Sequence, residues 1–185
     1  FRTPAFNQKM KAILVDWETF LSSKESNIGF RKEGEHWLSS AAKKTYQFEI
    51  WRKDQEILPY WKSWDSFFTR QFKDKKVSRP VTKAESNVSV ASANDGSLFR
   101  WEANVSARDV FWFKDMKYSL ADILSSPDAG QQKIIEQHKL VELFTDGYIF
   151  QTYLNPYNFH RWWCPVNGEV LFKPLVIDGC FFNKL

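Results

Sequence analysis

Tyr153-Leu-Asn-Pro-Tyr-Asn-Phe-His160-Arg-Trp-Trp-Cys-Pro-Val-Asn-Gly168 is the stretch on which the predicted fold and site depend. Alternating apolar residues over Tyr148–Leu154 predict a strand that leads into it. The proline and asparagines end that strand, and Asn167-Gly168 is a strong hairpin signal before another strand at Glu169–Lys173. We therefore expect His160 in a loop at the mouth of a sheet, where binding and catalytic residues concentrate.

The composition describes an ordinary globular chain of 185 residues, 43% apolar and 17% aromatic, which is enough for one domain with a core. The net charge of +4 is mild, and the densest basic run, Lys73–Lys76, is short and interrupted by an aspartate. We therefore expect no nucleic-acid partner. No apolar run approaches the ~18 residues of a membrane span, so we expect no membrane partner either.

The cysteines and the other metal-ligand types form no recognisable motif. Cys164 and Cys180 make neither a Cys-x-x-Cys pair nor a metal-ligand spacing. We therefore expect no metal, and two reduced thiols in a cytoplasmic protein.

The first part of the chain carries helical patterns. Apolar residues recur at spacings of three and four over Phe6–Leu21, which predicts a helix. A second helical segment is predicted over Glu35–Ile57, ended by Pro59. Ser63 is a good N-cap for a short third helix.

After Pro80 the pattern changes to short strands separated by turns at Asn94–Gly96 and Ala107–Asp109. Ser119 predicts a short capped helix over Leu120–Leu124, whereas Gln131–His138 is either a helical turn or a polar insertion. The predicted strands are Val88–Val90, Leu98–Glu102, Val110–Phe113, Val141–Phe144, Tyr148–Leu154, Glu169–Lys173 and Cys180–Phe182. The predicted class is α+β, with a helical region over residues 1–80 followed by a mainly antiparallel β core over residues 81–185.

Four blocks in the same order give the sequence a family resemblance. They are Ser66-Phe-Phe-Thr-Arg70 with Arg79-Pro80, then Ala93-Asn-Asp-Gly96, then Phe113-Lys-Asp-Met-Lys-Tyr-Ser-Leu120, and the His160-Arg block quoted above. Together they resemble the phosphatidylserine decarboxylase family. The segment Phe6–Phe30 is similar to the helical region of soluble members that decarboxylate amino acids, and the fungal tryptophan decarboxylases are the members it most resembles.

The resemblance implies a pyruvoyl group as the cofactor, made from the chain's own serine by cleavage at a Gly-Ser bond. The substrate amine would form a Schiff base with it, and the group would act as the electron sink for loss of carbon dioxide. The only Gly-Ser pair here is Gly96-Ser97, which lies in the wrong block. We therefore expect the serine outside this sequence, on a C-terminal chain cut from the same precursor. Homo-oligomerisation stays open.

The resemblance also suggests roles for two residues that have simpler interpretations. Asp95 matches the family's aspartate that orients a histidine for self-cleavage, although alone it reads as a turn aspartate. His160 matches an active-site histidine near the reacting carboxylate, although alone it reads as a core histidine. Trp163 stands where the family's second histidine is found, and an indole cannot act as a base. Either His160 takes both roles, or another group does, or self-cleavage is slow or absent.

The aromatic residues beside His160 suggest the substrate. Phe159, Trp162 and Trp163 are interpreted as core or as the wall of a pocket, and an aromatic wall would suit a flat substrate. We favour a free, aromatic amino acid; the alternatives are phosphatidylserine, giving phosphatidylethanolamine, or a non-catalytic family relative. Arg70 and Arg79 are interpreted as ion-pair residues beside this core.

Overall fold

The structure is a computed structural model that describes residues 3–54, 60–81, 89–113, 116–126, 128–170 and 173. Its α-helices are α1 (Pro4–Ser22), α2 (Ser40–Thr45), α3 (Trp64–Phe68), α4 (Lys75–Ser78), α5 (Leu120–Ile123), α6 (Ala129–Gln137) and α7 (Leu140–Phe144). Short 3-10 helices cover Lys24–Phe30, His36–Leu38 and Phe48–Ile50. The strands are β1 (Trp51–Arg52), β2 (Gln71–Phe72), β3 (Ser97–Ala103), β4 (Val110–Phe113), β5 (Met116–Ser119) and β6 (Tyr148–Tyr153). The predicted α+β class is confirmed.

The described strands pair in twos. β1 and β2 run antiparallel with Trp51 opposite Phe72, and β4 and β5 run antiparallel with Val110 opposite Ser119. β3 pairs with β6. The strands predicted at Leu98–Glu102, Val110–Phe113 and Tyr148–Leu154 are thereby confirmed, whereas β5 was missed.

The chain forms two compact units. One contains the described residues of Phe1–Ile13, Leu98–Thr152 and Val170–Leu185, and the other those of Leu14–Ser97 and Tyr153–Glu169. The second unit brings a late segment of the chain back to an early one. The boundary predicted at Pro80 falls inside this second unit, and as a domain boundary it stays a prediction.

Local capping explains why several predicted helices begin where they do. Ser63 accepts a hydrogen bond from the Ser66 N–H at 3.1 Å and begins α3. Ser119 and Asp122 form a reciprocal capping box that begins α5. The helices α1, α3 and α5 therefore confirm those predicted over Phe6–Leu21, after Ser63 and over Leu120–Leu124.

The helix predicted over Glu35–Ile57 is wrong in its extent. Among the described residues of that range only α2 is α-helical, because Ser39 caps it at one end and Gln47 adopts a left-handed φ of 49° beyond the other. Trp51 then leaves the helical path to pair with Phe72 in the β1–β2 ladder. Long-range aromatic packing therefore overrides the local apolar pattern.

Other predictions fall on different structure or outside the described residues. The strand predicted at Val141–Phe144 is wrong, since α7 covers it, and Gln131–His138 proves to be largely the helix α6. Residues 89–90 and 169–170 are not strand, and the rest of the strands predicted at Val88–Val90 and Glu169–Lys173 lies mainly outside the described residues. Cys180–Phe182 lies wholly outside them.

The second unit is built on a cluster of buried aromatic rings. Its buried members are Phe30, Leu38, Phe48, Trp51, Trp61, Phe67, Phe72 and Phe159. Phe67 is fully buried, with its ring centroid 4.8 Å from that of Phe30 and 4.9 Å from that of Trp61. Such close ring packing makes this core a rigid base for the loop that carries His160.

Candidate active site

Two of the four sequence blocks meet through their backbones. The Trp163 N–H donates to the carbonyl of Ala93 at 3.0 Å, and the Ala91 N–H donates to the carbonyl of Pro165 at 2.8 Å. These hydrogen bonds hold two segments of the chain side by side. The block that contains Asp95 therefore lies beside the Trp163 end of the His-Arg block.

The carboxylate of Asp95 is bound by Arg79. The turn that contains Asp95 is closed by the neighbouring Asn94, whose Oδ1 accepts the Gly96 N–H at 2.8 Å. Arg79 Nε donates to both oxygens of Asp95 at 2.9 Å, and Nη2 donates to Oδ2 at 2.6 Å. The Asp95 side chain is 10% exposed, so this charge-assisted pair is largely withdrawn from water. The ion pair predicted for Arg79 is confirmed.

Arg79, Asp95 and Trp163 line a shared cavity of about 380 Å³, inside the roughly 300–1,000 Å³ range typical of small-molecule sites. The other lining residues are Pro80, Val81, Ser89, Val90, Ala91, Ser92 and Asn94. Trp163 is half-buried, and its Nε1 is buried without a hydrogen-bond partner in the part of the chain that the structure describes. The cavity therefore combines an aromatic wall with an ion pair, and the unsatisfied indole N–H lies buried behind its surface.

His160 is held by its own loop and by α3. Its Nε2 lies 2.8 Å from the carbonyl oxygen of Asn155, and its ring lies over Phe68 with centroids 3.9 Å apart. A carbonyl can only accept, so Nε2 carries the proton and Nδ1 has the lone pair of the neutral ring.

The structure brings Asp95 to Trp163 but does not join it to His160. His160 is not among the residues that line the cavity, and no hydrogen bond links it to Asp95 within the described ranges. The catalytic roles suggested for Asp95 and His160 therefore stay predictions.

The three aromatic residues suggested as substrate contacts have different surroundings. Trp162 is 77% exposed, whereas Phe159 is buried in the aromatic core, where its ring stacks against Phe72 and lies near Trp51. Of the three, Trp163 alone lines the cavity, and Phe159 supports it from behind with ring centroids 5.4 Å apart. As substrate-binding residues all three stay predictions.

Among the described residues, Arg70 does not form the predicted ion pair. Its guanidinium lies over two rings, 4.4 Å from the centroid of Trp51 and 4.6 Å from that of Phe67, and it donates to backbone carbonyls. Burial lowers the pKa of Arg70 to about 10, so the group is still charged at neutral pH. Two of its carbonyl partners, on Tyr157 and Asn158, lie far along the chain, which is why local sequence patterns could not reveal them.

Metal-ligand clusters and membrane spans are both absent from the described ranges. In those ranges His, Cys, Asp and Glu form no group of three that could hold a metal ion. No helix there is long and apolar enough to cross a membrane.

Comparison with known proteins assigns the chain to a family. The protein-family model described as phosphatidylserine decarboxylase matches residues 64–183, and a second family model of phosphatidylserine decarboxylase matches residues 1–46. The first match covers more than half of the chain, including Asp95, His160 and Trp163. The chain belongs to the phosphatidylserine decarboxylase family.

Individual relatives span the amino-acid and lipid branches of that family. The chain is 30% identical to decarboxylase iboD of Amanita muscaria over all of its own length and 52% of the relative. It is 30% identical to the L-tryptophan decarboxylase of Psilocybe cubensis over all of its length and 43% of that protein. A phosphatidylserine decarboxylase proenzyme of Alcanivorax borkumensis is 33% identical over 58% of this chain and 32% of its own. The chain spans about half the length, or less, of the curated relatives it matches.

Proposed function

We propose that the chain is part of a pyruvoyl-dependent decarboxylase that acts on a free, aromatic amino acid. The observation that carries this proposal is the cavity, in which the Asp95 block and Trp163 come together inside the matched family region. Relatives named as a tryptophan decarboxylase and as decarboxylase iboD align with the whole chain, which favours an amino acid over a lipid as the substrate.

The cavity fits a small carbonyl-bearing cofactor. The unsatisfied Nε1–H of Trp163 is a donor that an acceptor from another segment could occupy, and a buried donor without a partner costs about 1–3 kcal/mol. A pyruvoyl group would supply an electron sink for the electrons released when the carboxylate leaves. We propose that this group lies on a C-terminal chain cut from the same precursor, which makes that chain the principal partner.

The residues of this chain have distinct proposed tasks. Trp163 forms the wall against which an aromatic side chain stacks, and Phe159 keeps that wall in place from the core. Arg79 orients the Asp95 carboxylate through its hydrogen bonds, so that Asp95 supports self-cleavage of the precursor. His160 holds the proton that is exchanged near the reacting carbon.

The lipid branch remains the second candidate, because one relative is named a phosphatidylserine decarboxylase proenzyme. That function requires binding to a membrane surface. Liposome pelleting with phosphatidylserine vesicles distinguishes the two, since an enzyme of free amino acids should stay in the supernatant. A cytoplasmic location and the oligomeric state stay predictions.

The test uses the full-length gene product. Intact mass should give two chains, one of them carrying the mass change of a pyruvoyl group, and purified protein should release carbon dioxide from an aromatic amino acid. Turnover of phosphatidylserine instead would move the protein to the lipid branch. A single uncut chain without carbon dioxide release would refute the proposal and favour the non-catalytic relative.

A further inference from the structure

Arg70 is a buried cation whose hydrogen-bond acceptors, in the part of the chain that the structure describes, are backbone carbonyls and not carboxylates. It is 2% exposed and lies over the rings of Trp51 and Phe67. Withdrawing a guanidinium from water is costly unless its N–H groups are bound, and Nε has no hydrogen-bond partner within the described ranges. The remaining N–H groups must therefore account for its position.

Those N–H groups bind the loop before His160. Nη2 donates to the carbonyl of Tyr157 at 2.8 Å and to that of Asn158 at 3.0 Å, while Nη1 donates to the carbonyl of Phe67 at 3.2 Å. Arg70 thus ties the end of α3 to the loop, and hydrogen bonds from a charged group are stronger than those between neutral groups.

The loop passes this constraint to the imidazole. The Asn158 N–H donates to the Asn155 carbonyl at 2.9 Å, and the Asn155 N–H donates to Asn158 Oδ1 at 2.7 Å, which closes a tight turn. The same Asn155 carbonyl accepts the Nε2–H of His160. A group that fixes Asn158 therefore also fixes the acceptor that decides which ring nitrogen is protonated.

Two neighbouring residues of the same segment complete the support. The ring of Phe68 lies under the imidazole, and the Arg161 Nε donates to the carbonyl of Thr69 at 2.7 Å. The segment Phe67–Arg70 therefore contacts the His160 loop at three places: the carbonyls of Tyr157 and Asn158, the imidazole of His160, and the side chain of Arg161.

We infer that Arg70 is a positioning residue that holds His160 in the Nε2–H form and leaves Nδ1 as the atom that accepts a proton from water and delivers it to the carbon that has lost its carboxylate. This inference rests on the proposed decarboxylase function. Arg70 acts through the loop, since its own contacts are rings and backbone carbonyls.

The test compares Arg70→Met and Asn158→Ala with the parent, all as full-length protein labelled with ¹⁵N-histidine. Asn158→Ala removes the Oδ1 acceptor of the turn without touching the buried core, so it remains informative if Arg70→Met folds poorly. Phe48→Leu is the matched control, because it weakens the same aromatic core without contacting the loop carbonyls. The His160 signals are assigned by their loss in His160→Gln, and the ring nitrogen shifts report the tautomer.

The parent should show the Nε2–H form, and both test variants should show mixed tautomers. Their kcat should fall about 10- to 100-fold, which is less than the roughly 10²–10⁴-fold that a positioned proton-transfer group supplies in full, with KM little changed. Phe48→Leu should keep the parent tautomer and kcat. An unchanged tautomer in both test variants would overturn the positioning role, and a shifted tautomer with parent kcat would overturn the role of Nδ1. A parent protein that releases no carbon dioxide would instead refute the proposed function. The tautomer comparison would still show whether Arg70 positions His160.

Discussion

The Arg79–Asp95 pair allows a quantitative prediction. Asp95→Asn removes the carboxylate charge, and Arg79→Met removes the guanidinium but keeps the apolar stem. Buried hydrogen bonds to charged groups contribute roughly 1.5–3 kcal/mol, whereas exposed ion pairs contribute about 0–1 kcal/mol. The side chains are 10% exposed for Asp95 and 36% for Arg79, so the pair lies between these limits. We expect a coupling free energy of about 1–2 kcal/mol, which is roughly a 5- to 30-fold change in the folding equilibrium.

A double-mutant cycle measures this coupling. The parent, the two single variants and the double variant are unfolded in urea as full-length protein in the same cleavage state. Each single variant should lose more stability than the coupling alone, because it leaves a half-buried partner unsatisfied, and the double variant should lose less than the sum. The exposed Lys32–Glu35 pair, with side chains 73% and 48% exposed, is the control and should show little coupling.

The outcome that would refute this reasoning is additivity. If the cycle for Arg79 and Asp95 closes within the ~0.5 kcal/mol by which independent sites normally add, the pair is solvated and does not hold the carboxylate. The structural account of the cavity would then lose its central ion pair.

Three further substitutions, and a fourth as a control, test the site and its support. Trp163→Ala should lower kcat/KM for an aromatic amino acid by about 2- to 12-fold, because a ring contact contributes roughly 0.5–1.5 kcal/mol beyond burial; an equal loss of thermal stability and turnover would instead mark Trp163 as core. Gly29→Ala would place a Cβ 2.2 Å from Cδ1 of Trp37, so overpacking should cost about 1–3 kcal/mol in urea unfolding, whereas Gly168→Ala, which meets nothing within 4 Å, should be neutral. His160→Ala should abolish carbon dioxide release; if it also leaves one uncut chain on a denaturing gel, His160 takes part in self-cleavage, and parent-like turnover would remove it from the site.

Local sequence signals predicted those elements that local physics decides. The apolar stripe of α1 and the caps Ser63 and Ser119 act within a few residues, so their helices could be read directly from the sequence. α7 has five residues, four of them apolar around Glu142, and it is too short for periodicity to separate helix from strand, which explains the wrong prediction at Val141–Phe144.

Partner choice in the site could not be predicted in the same way. The sequence identified Arg70 and Arg79 as equivalent ion-pair residues, yet Arg79 binds a carboxylate and Arg70 binds carbonyls. The difference arises because Arg70 follows α3 into the aromatic core, whereas Arg79 lies nearer the surface beside Asp95. Only tertiary packing decides which acceptor each guanidinium reaches.

The ion pair also gives a physical meaning to the tryptophan at position 163. In a Ser-His-Asp arrangement the carboxylate is paired with an imidazole, which it orients and whose charge it stabilises. Here Arg79 already provides a cation and three short N–H contacts to Asp95. A carboxylate that is 10% exposed would carry an uncompensated desolvation cost without a cation beside it, and the Arg79 guanidinium offsets that cost. The Asp95 charge therefore needs no imidazole at position 163, where Trp163 lines the same cavity.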